Sequence, residues 1–387
     1  MISSDSVSIY VLPGRVLIEK QARRVYRDIA TSHSGGHGVN SAASSQSSVL
    51  ALAALSRMIL GPVERQLGQK RLLIVADGAL NYIPFSALPV SSESVRAVSV
   101  LVTQHEIVSL PSASVLMTIR EEHTGRQSPP RAVAVLADPV FDFNDPRLKR
   151  SVDPVQASAA SSSKSKDKFA DLRSAELTRT RWAGVLGLAS SKPIHFSRLV
   201  YSRREAQAIA AASPRGEVLE ALDFSANRKL AMSPDLAEYK IVHFATHGLI
   251  DTTHPEFSGL LLSLYDKDRV PEIGLLSLED IYNLNLPIDM VVLSACETAL
   301  GKEVNGEGLI GLTRGFMYAG ASRVVASLWN VNDVATASLM GRFYHAMAHE
   351  HLTPAAALRE AQLEMHKDKR WTDPYYWAGF QLQGEWK

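Results

Sequence analysis

Residues 241–248 read IVHFATHG, and residues 289–300 read DMVVLSACETAL. Each is an apolar run that stops at a small-residue turn carrying one reactive side chain. In the first it is His247, followed by Gly248; in the second it is Cys296, preceded by Ala295 and the only cysteine of the chain. Runs as continuously apolar as MVVL belong to central strands buried on both faces. In open α/β sheets, reactive groups gather at the C-terminal ends of such strands. Neighbouring parallel strands lie about 5 Å apart, so two such ends can bring an imidazole to a thiol. Neutral histidine would take the thiol proton, and backbone amides around Gly248 and Cys296 would face a developing oxyanion. The competing reading makes Cys296 a small apolar core residue. His243, four residues before His247, reads as a hydrogen-bonded core histidine. A metal pair of His243 with His247 lacks further clustered ligands.

Outward from these runs, strands alternate with helices, which predicts an α/β fold with a largely parallel sheet. Downstream come a helix over 308–319, a strand over 323–328, helices over 334–350 and 354–366, and a final strand in YYWAGFQLQGEW. Upstream lie strands over 71–76, 106–110, 131–137 and 217–222. Helices are expected over 49–67, divided by Pro62, and over 202–212 and 225–231. A Ser-x-x-Glu capping box, Ser202 to Glu205, would start the helix at 202. Residues 7–20, VSIYVLPGRVLIEK, read as two short strands about a Pro-Gly turn. Residues 31–48 are too poor in apolar side chains to fold alone and read as a flexible linker. Residues 151–168, SVDPVQASAASSSKSKDK, read the same way, as part of a disordered insertion over about 151–182. The expected organisation is a smaller α/β subdomain over 1–125 followed by a main domain over 126–387.

Two further stretches bear on chemistry. Gly306–Gly311, GEGLIG, fits G-x-G-x-x-G, but it follows a loop, and Glu303 and Glu307 would repel a pyrophosphate. Asp333, in SLWNVND, follows the end of the next strand over. It is either the N-cap of the helix from Val334 or a carboxylate at the base of a pocket for a basic side chain.

The 41 basic and 40 acidic residues leave a net charge of +1, so no global field favours nucleic acid or an anionic membrane. No apolar run approaches the roughly 20 residues that span a bilayer. The N-terminal stretch lacks a basic region followed by a long apolar core, and a lone thiol suits a reducing compartment; a cytoplasmic protein without cofactor or metal is expected.

HFATHG (243–248), PEFSGLLLS (255–263), VVLSACETALG (291–301), GEGLIGLTRGFMYAGA (306–321), VVASLWNVNDVATASLM (324–340) and the closing YYWAGFQLQGEW together resemble the CHAT domain. DGALNYIPFSALP (77–89) and LADPVFD (136–142) are similar to it as well. The resemblance runs from about Val49 to Lys387 and implies the caspase-like α/β/α sandwich of the caspase, separase and gingipain clan of cysteine peptidases. It implies His247 as general acid/base, Cys296 as nucleophile, and the amides of Gly248 and Cys296 as oxyanion donors. It also implies Asp333 in the S1 pocket, hence a basic P1 residue in a protein substrate. An activating partner carrying repeats is expected. The alternative is a latent or non-proteolytic interaction module of the same fold.

Overall fold

The computed structural model describes residues 1–3, 6–31, 41–90, 99–149, 196–250, 258–294, 296–299 and 307–386, with backbone alone for 41–45, 149, 296–299 and 307–309. In chain order the strands are β1 (Leu72–Ile74), β2 (Pro89–Val90), β3 (Ser99–Val100), β4 (Ile107–Ser109) and β5 (Arg131–Ala137). Then come β6 (Val218–Leu222), β7 (Tyr239–Ala245), β8 (His247–Ile250), β9 (Gly259–Leu261) and β10 (Leu275–Ser277). The last are β11 (Met290–Leu293), β12 (Cys296–Ala299), β13 (Arg323–Ser327) and β14 (Phe380–Gly384).

An eight-stranded sheet runs in the order β1-β4-β14-β13-β11-β7-β5-β6. All its pairings are parallel except that of β13 with β14. Hence β5, β6, β7, β11 and β13 point one way, and β1, β4 and β14 the other. Every residue of β11 is buried, as a central strand of this kind requires. Helices cover both faces, because successive strand residues face opposite sides. On β7, His243 meets Tyr344 of the helix Asp333–His349, while Phe244 meets Phe316 of the helix Glu307–Tyr318. The molecule is thus a mixed α/β fold on a large, mostly parallel sheet, as the alternating pattern predicts.

A second, four-stranded sheet, β10-β9-β8-β12, sits at the end of the first. Its apolar runs are three or four residues long, too short to stand out in the sequence. One residue, Thr246, separates β7 from β8, and its hydroxyl donates to the Leu261 carbonyl of β9. That bond turns the chain out of one sheet and into the other.

Three local expectations need correction. The stretch 7–20 does not form two strands: an isolated bridge joins Ile2 to Val7, and a helix spans Arg15–Ala30. Ile18, Ala22, Val25 and Ile29 recur at helical spacing and are buried, with Gly14 as the residue before the helix. Of the linker expected over 31–48, residues 32–40 lie outside the described residues, but Ser41 opens a helix to Ile59. Its serines are tied to the first helix: the Ser47 hydroxyl donates to the Asp28 carboxylate and that of Ser48 to the Asp28 carbonyl, both at 3.0 Å. The Ser202–Glu205 capping box is absent. The helix spans Val200–Ala212 from Leu199, and both side chains serve longer-range partners. The insertion expected over 151–182 lies outside the described residues.

Candidate active site

β5, β6, β7 and β11 all end on one edge of the main sheet, where the chain continues into Asp138, Asp223, Thr246–His247 and Ser294. Elements that the sequence separates by more than a hundred residues therefore meet there.

His247 opens β8 and is 7% exposed. Its Nε2 lies 2.8 Å from the Ser197 carbonyl oxygen. A carbonyl only accepts, so Nε2 carries the proton and Nδ1 holds the lone pair. Nδ1 is buried and has no hydrogen-bond partner among the described residues. The ring packs against Phe141 and Phe196, with centroids 4.9 and 5.8 Å away. Burial lowers the imidazole pKa, and the bond to Ser197 opposes this only in part. A neutral imidazole with one nitrogen oriented and the other unengaged is the form a general base takes.

Cys296 opens β12, which runs parallel to β8 with Cys296 opposite His247 and Glu297 opposite Gly248. The backbone thus puts the two positions side by side on neighbouring strands. Gly248 lies in the middle of this second sheet, with β12 on one side and Leu260 of β9 on the other.

Directly after Ser197, Arg198 enters an ionic cluster that sequence reasoning missed. Asp138, directly after β5, is fully buried at a φ of 48°. Its carboxylate accepts two bonds from Arg198, at 2.8 and 2.6 Å, and one from Arg203 Nε at 2.8 Å. Arg147 Nη1 lies 3.1 Å from the same carboxylate and donates to the Asp138 carbonyl. Arg147 and Arg203 also bind Asp223, and Arg147 binds Asp145. Burial would raise the pKa of Asp223, but hydrogen bonds from Arg203 and Arg147 hold it below the ordinary carboxylate value. Arg198 follows Ser197, so the cluster fixes the peptide that orients His247. The available signal was the acidic strand end LADP together with the arginines near 200, but only the fold pairs them.

His243 is a core histidine, as its depth in the strand implied. Its Nδ1 lies 3.0 Å from the Tyr344 hydroxyl and its Nε2 3.0 Å from Glu205 Oε1, all three residues being buried. His243 and His247 therefore serve separate networks, and no metal-binding group of His, Cys, Asp and Glu occurs among the described residues.

Asp333 is not the helix N-cap. Asn332 is, accepting from the amides of Val334 and Ala335, and Asp333 is the first helical residue. Burial, and secondarily the charge of Glu205, raise its carboxyl pKa. β13, which precedes it, neighbours β11 in the sheet. No hydrogen bond links Asp333 to the surroundings of His247 among the described residues.

The CHAT domain family model matches residues 49–385. Among curated proteins, Tetratricopeptide repeat protein 28 of Homo sapiens is 38% identical over 110 residues, and that of Mus musculus 37%. Each match covers 28% of this chain and 4% of the relative. Among solved structures, the Arg-specific cysteine proteinase gingipain R is similar at 11% identity and a TM-score of 0.46, over 95% of this chain and 74% of that one. Separase in the Saccharomyces cerevisiae separase–securin complex is similar at 11% identity and a TM-score of 0.41, over 81% and 15%. No helix among the described residues is long and apolar enough to cross a membrane.

Proposed function

Because the chain belongs to the CHAT domain family, we propose that it is a cysteine endopeptidase in which Cys296 is the nucleophile and His247 its acid/base. The observation that carries this reading is the register that sets Cys296 across from His247, whose Nδ1 lacks a partner among the described residues. The thiol proton passes to Nδ1 as sulfur attacks the scissile carbonyl. His247 then protonates the leaving amine, giving a thioacyl enzyme. A water molecule, losing its proton to the same nitrogen, hydrolyses that bond and restores the thiol. The Ser197 carbonyl holds the ring throughout and stabilises the imidazolium. The amides of Gly248 and Cys296 receive the oxyanion. Asp333 receives a basic P1 side chain, its partly buried carboxylate favouring a cation.

The test is peptide-library profiling of the wild type against Cys296→Ala. Cleavage after Arg or Lys that vanishes in the variant supports the reading. Identical profiles from both proteins exclude it.

A second reading, a partner-responsive module without proteolysis, draws on the relatives, which are named for tetratricopeptide repeats and of which this chain matches a small part. A thiol-reactive probe with Arg at P1 separates the two. Labelling that requires both Cys296 and His247 belongs to a peptidase.

A further inference from the structure

At the other edge of the main sheet, where β11 and β13 begin and β14 ends, lies a cleft of about 480 Å³. Its lining includes Thr124, Arg126, Gln127, Ser128, Asp289 and Arg323. Two observations mark it as unfinished. Arg323 is 9% exposed, and its guanidinium makes no hydrogen bond or ion pair among the described residues, with Nε fully enclosed. Arg126 donates through Nη1 to the Gly320 carbonyl and lies 3.1 Å from His123 Nδ1, while its Nη2 has no partner among the described residues.

The carboxylates nearby do not supply what is missing. Asp289 accepts from the Ser128 hydroxyl at 3.0 Å. Glu385 is bound by two nitrogens of Arg120, which itself stacks on Trp386. Both act on Arg323 only through space, while burial works against its charge. A guanidinium stays charged in proteins, so enclosing one unpaired is expensive unless an anion arrives to meet it.

We propose that this cleft binds a phosphorylated small molecule, with the phosphate seated on Arg323 and Arg126 and a hydroxylated body filling the remaining space. A dianion answers two guanidinium groups at once, and its oxygens accept the several N–H donors that arginine forks present. The volume exceeds that of a bare phosphate and falls in the range of small-molecule sites, about 300–1,000 Å³. Beside the arginines the lining carries further polar groups. The Gln127 amide can donate, while Asp289, Glu385 and the hydroxyl oxygens of Thr124 and Ser128 can accept from a polyol. A sugar phosphate and a mononucleotide share this chemistry. The cleft is on the opposite sheet edge from His247 and Cys296, so the proposal is independent of the peptidase reading.

The test is thermal melting and calorimetry of the full chain in phosphate-free buffer. The probes are inorganic phosphate, ribose 5-phosphate and adenosine 5′-monophosphate. Ribose 5-phosphate or the nucleotide at saturation should raise the melting temperature by about 2–4 °C. Arg323→Gln and Arg126→Gln should each weaken binding at least tenfold. Tighter binding of the nucleotide than of ribose 5-phosphate assigns the body to a nucleotide, and equal binding to a sugar phosphate. Should Arg323→Gln not fold, Arg126→Gln carries the comparison. The absence of binding by every probe, or affinities unchanged in the folded variants, would overturn the proposal. Inorganic phosphate binding as tightly as both esters would overturn the small-molecule body.

Discussion

Across the parallel ladder of β8 and β12, Cys296 stands opposite His247. If the two act as one unit, their removal cannot be additive. Cys296→Ala and His247→Ala should each lower kcat/KM by about 10⁴-fold or more, and the double variant should be scarcely worse than either single one. Steady-state kinetics on one fluorogenic peptide suffices. Multiplicative losses would mean the residues work separately.

The His247 imidazole is buried and its pKa lies below the ordinary histidine value of about 6.5. As the base of the proposed reaction it would need its neutral form to take the thiol proton. The acid limb of kcat/KM against pH should therefore fall below pH 6.5 rather than at it. The same shift acts on stability. A folded-state pKa below the unfolded one contributes stability that is fully present above about pH 6.5 and is lost as pH falls toward the folded value. The urea midpoint of the wild type should thus fall relative to that of His247→Phe as the pH drops below 6.5. A wild-type midpoint that rises relative to the variant on acidification would give His247 a raised pKa instead.

Arg147 and Arg198 flank residues 150–195 in the sequence, yet both end on Asp138. Breaking a buried ion pair from one side leaves uncompensated charge and costs about 3–5 kcal/mol. Asp138→Ala, which leaves Arg198 without its carboxylate and takes one of several from Arg147 and Arg203, should reach that range in urea unfolding. Arg198 is 35% exposed, so its loss should cost less stability. It would nevertheless release the Ser197 peptide from the imidazole. Arg198→Ala should therefore keep most of its stability while kcat falls about tenfold. Unchanged kcat in a folded Arg198→Ala protein would separate the cluster from the chemistry.

The main sheet was legible because its central strands are continuous apolar runs set between helical segments. MVVL, RAVAVLA and IVHFAT needed no tertiary information to be placed. Where reading failed, distant partners decided. Ser202 and Glu205 have the spacing of a capping box, but Ser202 accepts from the Asp138 amide and Glu205 meets His243. The serines at 47 and 48 look like linker until Asp28 is beside them. Residues 7–20 misled because apolar alternation before Pro13 ran into a helical period that shows only beyond Lys20. At the candidate site, the His-Gly and Ala-Cys turns were visible as local patterns. The Ser197 carbonyl that orients the ring was not, since a backbone group has no signature in side-chain order.

His243 shares its strand with His247 but not its surroundings. Its two nitrogens are engaged by Tyr344 and Glu205 in a fully enclosed network. His243→Phe keeps the ring volume and leaves two buried polar groups unanswered, at about 1–3 kcal/mol each. Denaturation should show that loss, while kcat per folded molecule stays within about twofold. A fall in kcat comparable to that of His247→Ala would place His243 in the reaction.

Asp333 offers the sharpest test of specificity. Its carboxyl pKa is raised, first by burial and then by Glu205. A carboxylate so placed gains from an incoming cation, which offsets both effects, and a charge-assisted bond to a basic P1 group is worth about 1.5–3 kcal/mol. Asp333→Asn should then lower kcat/KM for Arg and Lys at P1 by about 10–100-fold, leaving neutral P1 residues little changed. Competition assays with paired peptides measure the ratio directly. Because Asn332, not Asp333, caps the helix, the substitution should leave the melting temperature nearly unaltered. An equal loss across all P1 residues would assign Asp333 to folding rather than to recognition.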